Sequence, residues 1–134
     1  MSDDESTPEA VVRRYLRIFE TGDRAELERV VAPDVEIWGA GRHVTGIDFP
    51  LASIETPGLS GCRLEIVELF AADDRVVVYF IATYRHDASD RDVRQSGMKM
   101  YQVRDGRIVR FWGETDLHGL LRDLGKIEGT IDFL

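Results

Sequence analysis

The stretch Val103–Asp116, VRDGRIVRFWGETD, decides how this chain is read. A tight Asp-Gly turn between two strand-like runs is a hairpin signal. RIVRFWGET (Arg107–Thr115) therefore reads as a strand returning from RQSGMKMYQV (Arg94–Val103) through the RDG turn. Successive strand residues point to opposite faces. Phe111, Gly113 and Thr115 then share one face, and Arg110, Trp112 and Glu114 share the other. Glu114 takes the outer parity, as a surface or interface charge. Asp116 has two compatible roles, capping the helix that follows or standing at a pocket mouth.

Upstream, RLEIVELF and RVVVYFIATYRH precede these two strands, with AADD and DASDRD as turns, so the spacing predicts a four-stranded antiparallel meander. The front of the chain has a different period. Thr7-Pro8-Glu9 is a helix start, followed by Val11, Val12, Tyr15, Leu16 and Phe19 at helical spacing up to Gly22. Asp23 with Glu26 reads as a capping box opening a second helix, Arg24 to Val31, and Val35 to Trp38 as a short strand closed by Gly39–Gly41. Asp34 follows Pro33 in a turn, where its carboxylate can bond nearby amides. TGIDFPLASIE offers a third, short helix limited by Pro50, and a last helix runs from Asp116 to Gly125 with Leu117, Leu120, Leu121 and Leu124. The expected fold class is α+β, a single domain over residues 1–134, with residues 1–6 a disordered acidic tail.

Charge removes several function classes. Against 17 Lys+Arg stand 25 Asp+Glu, a net charge of −8 with no basic run, so neither nucleic acid nor an anionic membrane is an expected partner. The longest apolar run, VVVYFIA, is strand-sized, and the acidic N-terminus has no hydrophobic signal core. A cytoplasmic location is the default expectation. Cys62 is the only cysteine and reads as a packing residue, since no spacing supplies it with an activating base. His43, His86 and His118 lack metal-site spacing, and no glycine-rich phosphate loop is present, so neither metal nor cofactor is expected.

The order of helix, GD and second helix, then APDVEIW, a meander ending in DGRIVRFW, and LLRDLG resembles the nuclear transport factor 2-like superfamily, and within it the SnoaL-like polyketide cyclases and hydroxylases. The resemblance covers nearly the whole chain and is most specific in FETGDRAELERVVAPDVEI, VRDGRIVRFW and LLRDLG. It implies a cone-shaped, curved antiparallel sheet packed with N-terminal helices around an apolar cavity, with the outer sheet face used for homodimerisation. SnoaL-like cyclases characteristically place an acid directly after the tryptophan of the last strand, and here that position is Gly113. Ketosteroid isomerases, another branch, carry an aspartate base where Gly39 stands and a proton-donating aspartate near Lys99; only their helix-one tyrosine has a counterpart, Tyr15.

Within such a cone, alternation along RVVVYFIATYRH is expected to send Val77, Tyr79, Ile81, Thr83 and Arg85 inward, and that along RQSGMKMYQV to send Lys99, Tyr101 and Val103 inward. Val76, Val78, Phe80, Ala82 and Tyr84, with Trp112, then form the outer face expected to dimerise. The candidate catalytic residues are Tyr101, Asp116, Lys99, His43 and Tyr15; the candidate substrate-binding residues are Phe19, Ile37, Trp38, Tyr79, Ile81, Thr83, Arg85, Phe111, Gly113 and Thr115. A lysine inside an apolar pocket loses part of its proton affinity and becomes a base or an oxyanion partner. The expectation is a cofactor-free acid/base enzyme of secondary metabolism, such as antibiotic biosynthesis, cyclising, isomerising or otherwise rearranging a hydrophobic polyketide-like molecule. The alternative is a non-catalytic binding or dimerisation module of the same fold, favoured by glycines at both acid positions.

Overall fold

The computed structural model describes residues 5–128. Of the acidic tail, residues 1–4 lie outside that range, whereas the Glu5 carbonyl accepts a hydrogen bond from Arg14 at 3.4 Å. Helix α1 (Pro8–Thr21) begins where the Thr7 hydroxyl accepts from the Ala10 amide, and it ends at Gly22, whose left-handed φ of 69° lets its N–H return to the Ile18 carbonyl. Helix α2 (Arg24–Val30) opens on Asp23, which accepts from the Glu26 amide at 3.0 Å. Glu26 then receives Arg14 at 2.6 Å and Arg29 at 2.8 Å, tying α2 to α1.

Strand β1 (Val31–Gly39) leaves α2 directly and turns back through Ala40 and Gly41, both at positive φ, into the short strand β2 (Arg42–Thr45). Such a turn suits a two-residue hairpin. Helix α3 (Asp48–Ser53) follows, and then the meander β3 (Leu59–Ala72), β4 (Arg75–His86), β5 (Arg91–Arg104) and β6 (Arg107–Thr115). Asp73, Asp90 and Asp105 hold positive φ in the three turns of the meander, the role aspartate tolerates better than most residues. Helix α4 (Leu117–Asp123) closes the described chain. None of the described helices is long and apolar enough to cross a membrane.

The six strands form one curved, unclosed sheet in the order β2-β1-β6-β5-β4-β3. It is mixed rather than wholly antiparallel. β1 lies parallel to β6, with Ile37 opposite Phe111 and Gly39 opposite Gly113, because the helices and the meander intervene between the two strands. β1 is also longer than its apolar core suggests, and β2 has no signal beyond the glycines before it.

The strand parity expected for β4 is reversed. β5 pairs with β4 so that Val76 stands opposite Tyr101 and Val78 opposite Lys99. Opposed residues share a face. Val76, Val78, Phe80 and Ala82 are therefore buried in the core against α1, with Tyr84 packed on it, while Val77, Tyr79, Ile81, Thr83 and Arg85 face outward. Both parities of this strand are apolar, so the strand alone could not choose; the four-residue turn Asp87–Asp90 between His86 and Arg91 fixes the choice. The residues expected inward on β5 and β6, Lys99, Tyr101, Val103, Phe111, Gly113 and Thr115, do face in.

Candidate functional site: an apolar double chamber around Lys99

The core side of the sheet does not fill completely. One chamber of about 160 Å³ lies between the β1–β2 hairpin and β6, lined by Ile37, Val44, Phe49, Lys99, Phe111 and Thr115, with Arg42 and Trp38 also on its wall. A second, of about 210 Å³, lies beneath α1 and includes Tyr15, Phe19, Phe80, Tyr84, Gln95 and Tyr101. The two share Phe49, Lys99, Phe111 and Thr115. Neither alone reaches the ~300 Å³ usual for a small-molecule site, whereas their combined volume does. Lys99 lies on the wall of both.

The Lys99 stem lies over Gly113, where an added Cβ would meet its Cγ at 2.7 Å. Its Nζ sits 5.5 Å from the Phe111 ring centroid and 5.6 Å from that of Phe80. No Asp or Glu lines either chamber, and no carboxylate pairs with this ammonium among the described residues. Burial without a counter-charge pulls the Lys99 pKa down to about 8. Lys99 keeps partial accessibility because it forms cavity wall.

Two tyrosines stand beside it. Tyr101 is fully buried, touches Tyr15 at 5.6 Å and Phe111 at 5.4 Å between ring centroids, and its hydroxyl has no protein partner among the described residues. Burial, and next Tyr15, raise its pKa. Tyr15, on α1, is likewise raised by burial and then by Tyr84. Both stay neutral and able to donate across the working range of an amine base.

The remaining candidates separate. Asp116 is exposed and accepts the Gly119 amide at 2.8 Å as the cap of α4. His43 stacks on Trp38 at 4.5 Å, and Trp38 stacks on Trp112 at 5.1 Å, all on the outer sheet face, with Glu36 3.6 Å from His43. Arg85 pairs with Asp90 and with Asp92 on that same side. Tyr79, Ile81 and Thr83 leave the candidate cavity wall with it. A groove of about 610 Å³ on this face is larger than the inner chambers but open, and Lys99 reaches its wall as well, among Trp38, Met98, Met100 and Trp112. Sequence reasoning missed Phe49, Arg42, Phe80 and Tyr84. The Phe49-Pro50 pair at the start of a weak helix was a usable signal for the first, and the turn before Arg91 for the last two.

A profile of the SnoaL-like domain matches residues 12–111. The chain belongs to the SnoaL-like domain family. Solved structures agree on this SnoaL-like fold. AclR, a candidate hydroxylase from Streptomyces galilaeus, superposes with a TM-score of 0.81 at 18% identity over 94% of this chain and 89% of its own. IdmH, a candidate polyketide cyclase from Streptomyces antibioticus, gives 0.75 at 23% identity over 88% and 98%. An epoxide hydrolase of M. tuberculosis gives 0.72 at 15% identity over 89% and 90%. No curated protein matches the SnoaL-like chain in sequence.

Proposed function

We propose that this SnoaL-like chain is a cofactor-free acid/base enzyme that rearranges a hydrophobic, polyketide-like carbonyl compound. One observation carries the reading: a single amine, without a carboxylate partner among the described residues, lines both chambers, and Tyr101 lines the second with it. An amine titrating near 8 is partly neutral at physiological pH and can take a proton from the carbon next to a carbonyl. Tyr101, aided by Tyr15, donates to the oxygen on which the enolate charge develops. Phe19, Ile37, Phe111, Gly113 and Thr115 shape the substrate's seat. The fold by itself decides no chemistry.

The test needs no knowledge of the natural substrate. A flat aryl ketone in deuterium oxide should exchange its α-protons faster with the protein than in buffer, and Lys99→Met should abolish the difference. Exchange no faster than buffer on either side of pH ~8 would sink the proposal. The binding-module reading is favoured by the absence of carboxylates from the cavity wall; it expects ketone binding without exchange.

We also infer a homodimer formed through the outer sheet face. Its members include Phe70, Val77, Tyr79, Met98, Trp38 and Trp112, with Met98 57% and Phe70 62% exposed. A monomer mass by light scattering at micromolar concentration would count against it.

A further inference from the structure

We propose that Lys99 acts as a nucleophile, joining covalently to a ketone or aldehyde carbon of the bound molecule as an imine; this rests on the acid/base reading above and deepens it. Four observations support the assignment. Lys99 and Lys126 are the chain's only lysines, every other cation of fixed charge being an arginine guanidinium. Every ion pair among the described residues is made by an arginine or by His43, and Lys99 takes part in none. Arginine would carry the same charge but stays protonated and does not add to carbonyls. The Lys99 stem is held over Gly113 with its Nζ between the faces of Phe80 and Phe111, on the wall of both chambers. Finally, the next inward residue of the same strand is Tyr101, whose buried hydroxyl has no hydrogen-bond partner among the described residues.

The neutral amine attacks the carbonyl carbon. The N–C bond forms, the π pair moves to oxygen, and Tyr101 donates a hydrogen bond to that oxygen. A proton passes from nitrogen to oxygen, giving a carbinolamine. With further protonation the C–O bond breaks, water leaves, and a protonated imine remains. Its α-proton is lost to water, producing an enamine; as the enamine carbon bonds to a second carbonyl carbon, the nitrogen pair re-forms the imine, and the second carbonyl's π pair goes to its oxygen, which takes up a proton from water. Water then hydrolyses the imine, returning oxygen to carbon and the free amine to Lys99. No oxidant or reductant enters. The absence of a carboxylate from the wall suits this route, because the iminium itself acidifies the α-carbon.

Two probes test it on the whole protein. With 1-phenylbutane-1,3-dione, the intact mass should rise by one diketone less one water, with a new enaminone absorption. Peptide mapping should put the label on Lys99. Lys126→Arg should label like the parent, whereas Lys99→Arg and Lys99→Met should not label there. The labelling rate should climb roughly tenfold per pH unit below about 8 and level off above it. Propanone with sodium borohydride, small enough for either chamber, should leave an isopropyl group on Lys99. Failure of both probes at Lys99, or label confined to Lys126, overturns the imine. If they fail while α-proton exchange persists and is lost in Lys99→Met, the acid/base reading survives alone. If Lys99 labels but no exchange or turnover occurs, Lys99 is a nucleophile only, and both the enamine step and the acid/base reading fall.

Discussion

The two faces of the sheet are both rich in apolar side chains, yet they treat their polar groups in opposite ways. Outside, charges come in opposed pairs: Arg110 is 3.2 Å from Glu36, and Arg85 has both Asp90 and Asp92. These pairs are solvent-exposed, so each is worth at most about 1 kcal/mol and none is poised for chemistry. Inside, Lys99 has aromatic faces in place of a carboxylate, and the Tyr101 hydroxyl has no hydrogen-bond partner among the described residues. Reactivity is found where partners are withheld, which separates a candidate site from a decorated surface.

The largest expected effect is Lys99→Met, which removes the inner charge altogether. Turnover or α-proton exchange should fall roughly 10²- to 10⁴-fold. Stability should move the other way. Lysine normally titrates near 10.5 and Lys99 near 8 in the folded protein, so the unfolded chain holds more protons between those values. Folding stability should therefore rise with pH across that window, and the cost of burying the charge should be fully present below it. That cost is on the order of 3 kcal/mol. Lys99→Met should lift this cost at neutral pH and flatten the rise, as followed by urea unfolding at several pH values. A destabilised variant with the rise intact would show that Lys99 is not the titrating group.

Next comes Gly113→Asp, which gives the inner face the partner it lacks. The carboxylate would push the Lys99 stem aside and hold its ammonium charged, shifting the alkaline rise in activity upward by about 1 to 3 pH units. An unshifted profile would mean the two side chains do not meet. Tyr101→Phe should lower turnover by roughly 10-fold or more through kcat, with stability unchanged or raised, because the hydroxyl it deletes has no partner among the described residues. A loss confined to KM would recast Tyr101 as a binding residue.

The smallest effects should come from outside the cavity. His43→Gln and Asp116→Asn should each stay within about 2-fold of the parent turnover. Asparagine caps a helix as well as aspartate does, so α4 should persist. A 10²-fold loss in either would move the chemistry from the chamber wall to the rim.

Much of this was legible in the sequence. The caps at Thr7 and Asp23 and the meander with its turns follow from local chemistry, and the inward set Lys99, Tyr101, Phe111 and Gly113 follows from strand alternation once the resemblance says which face turns in. The faces of β4 did not follow, because Val76-Val77-Val78 and Tyr79-Phe80-Ile81 offer apolar side chains to both sides. Only pairing with β5 breaks that symmetry, and pairing is a tertiary fact. β2 was hidden for a similar reason: Arg42–Thr45 has little strand character and exists by hydrogen bonding to β1. Phe49 and Arg42 enter the cavity wall from segments with no period of their own. Whether an acid near the strand end points into the chamber depended on a single cap bond, from the Gly119 amide to Asp116.

The facing glycines of β1 and β6 also constrain how this chain can change by mutation. A Cβ at Gly39 would lie 2.5 Å from the Gly113 carbonyl oxygen, which is backbone and cannot swing away; one at Gly113 would meet only the flexible stem of Lys99. The two positions are thus unequal as evolutionary steps. At Gly39 a side chain requires the strands to part first, while at Gly113 it requires Lys99 to shorten or turn.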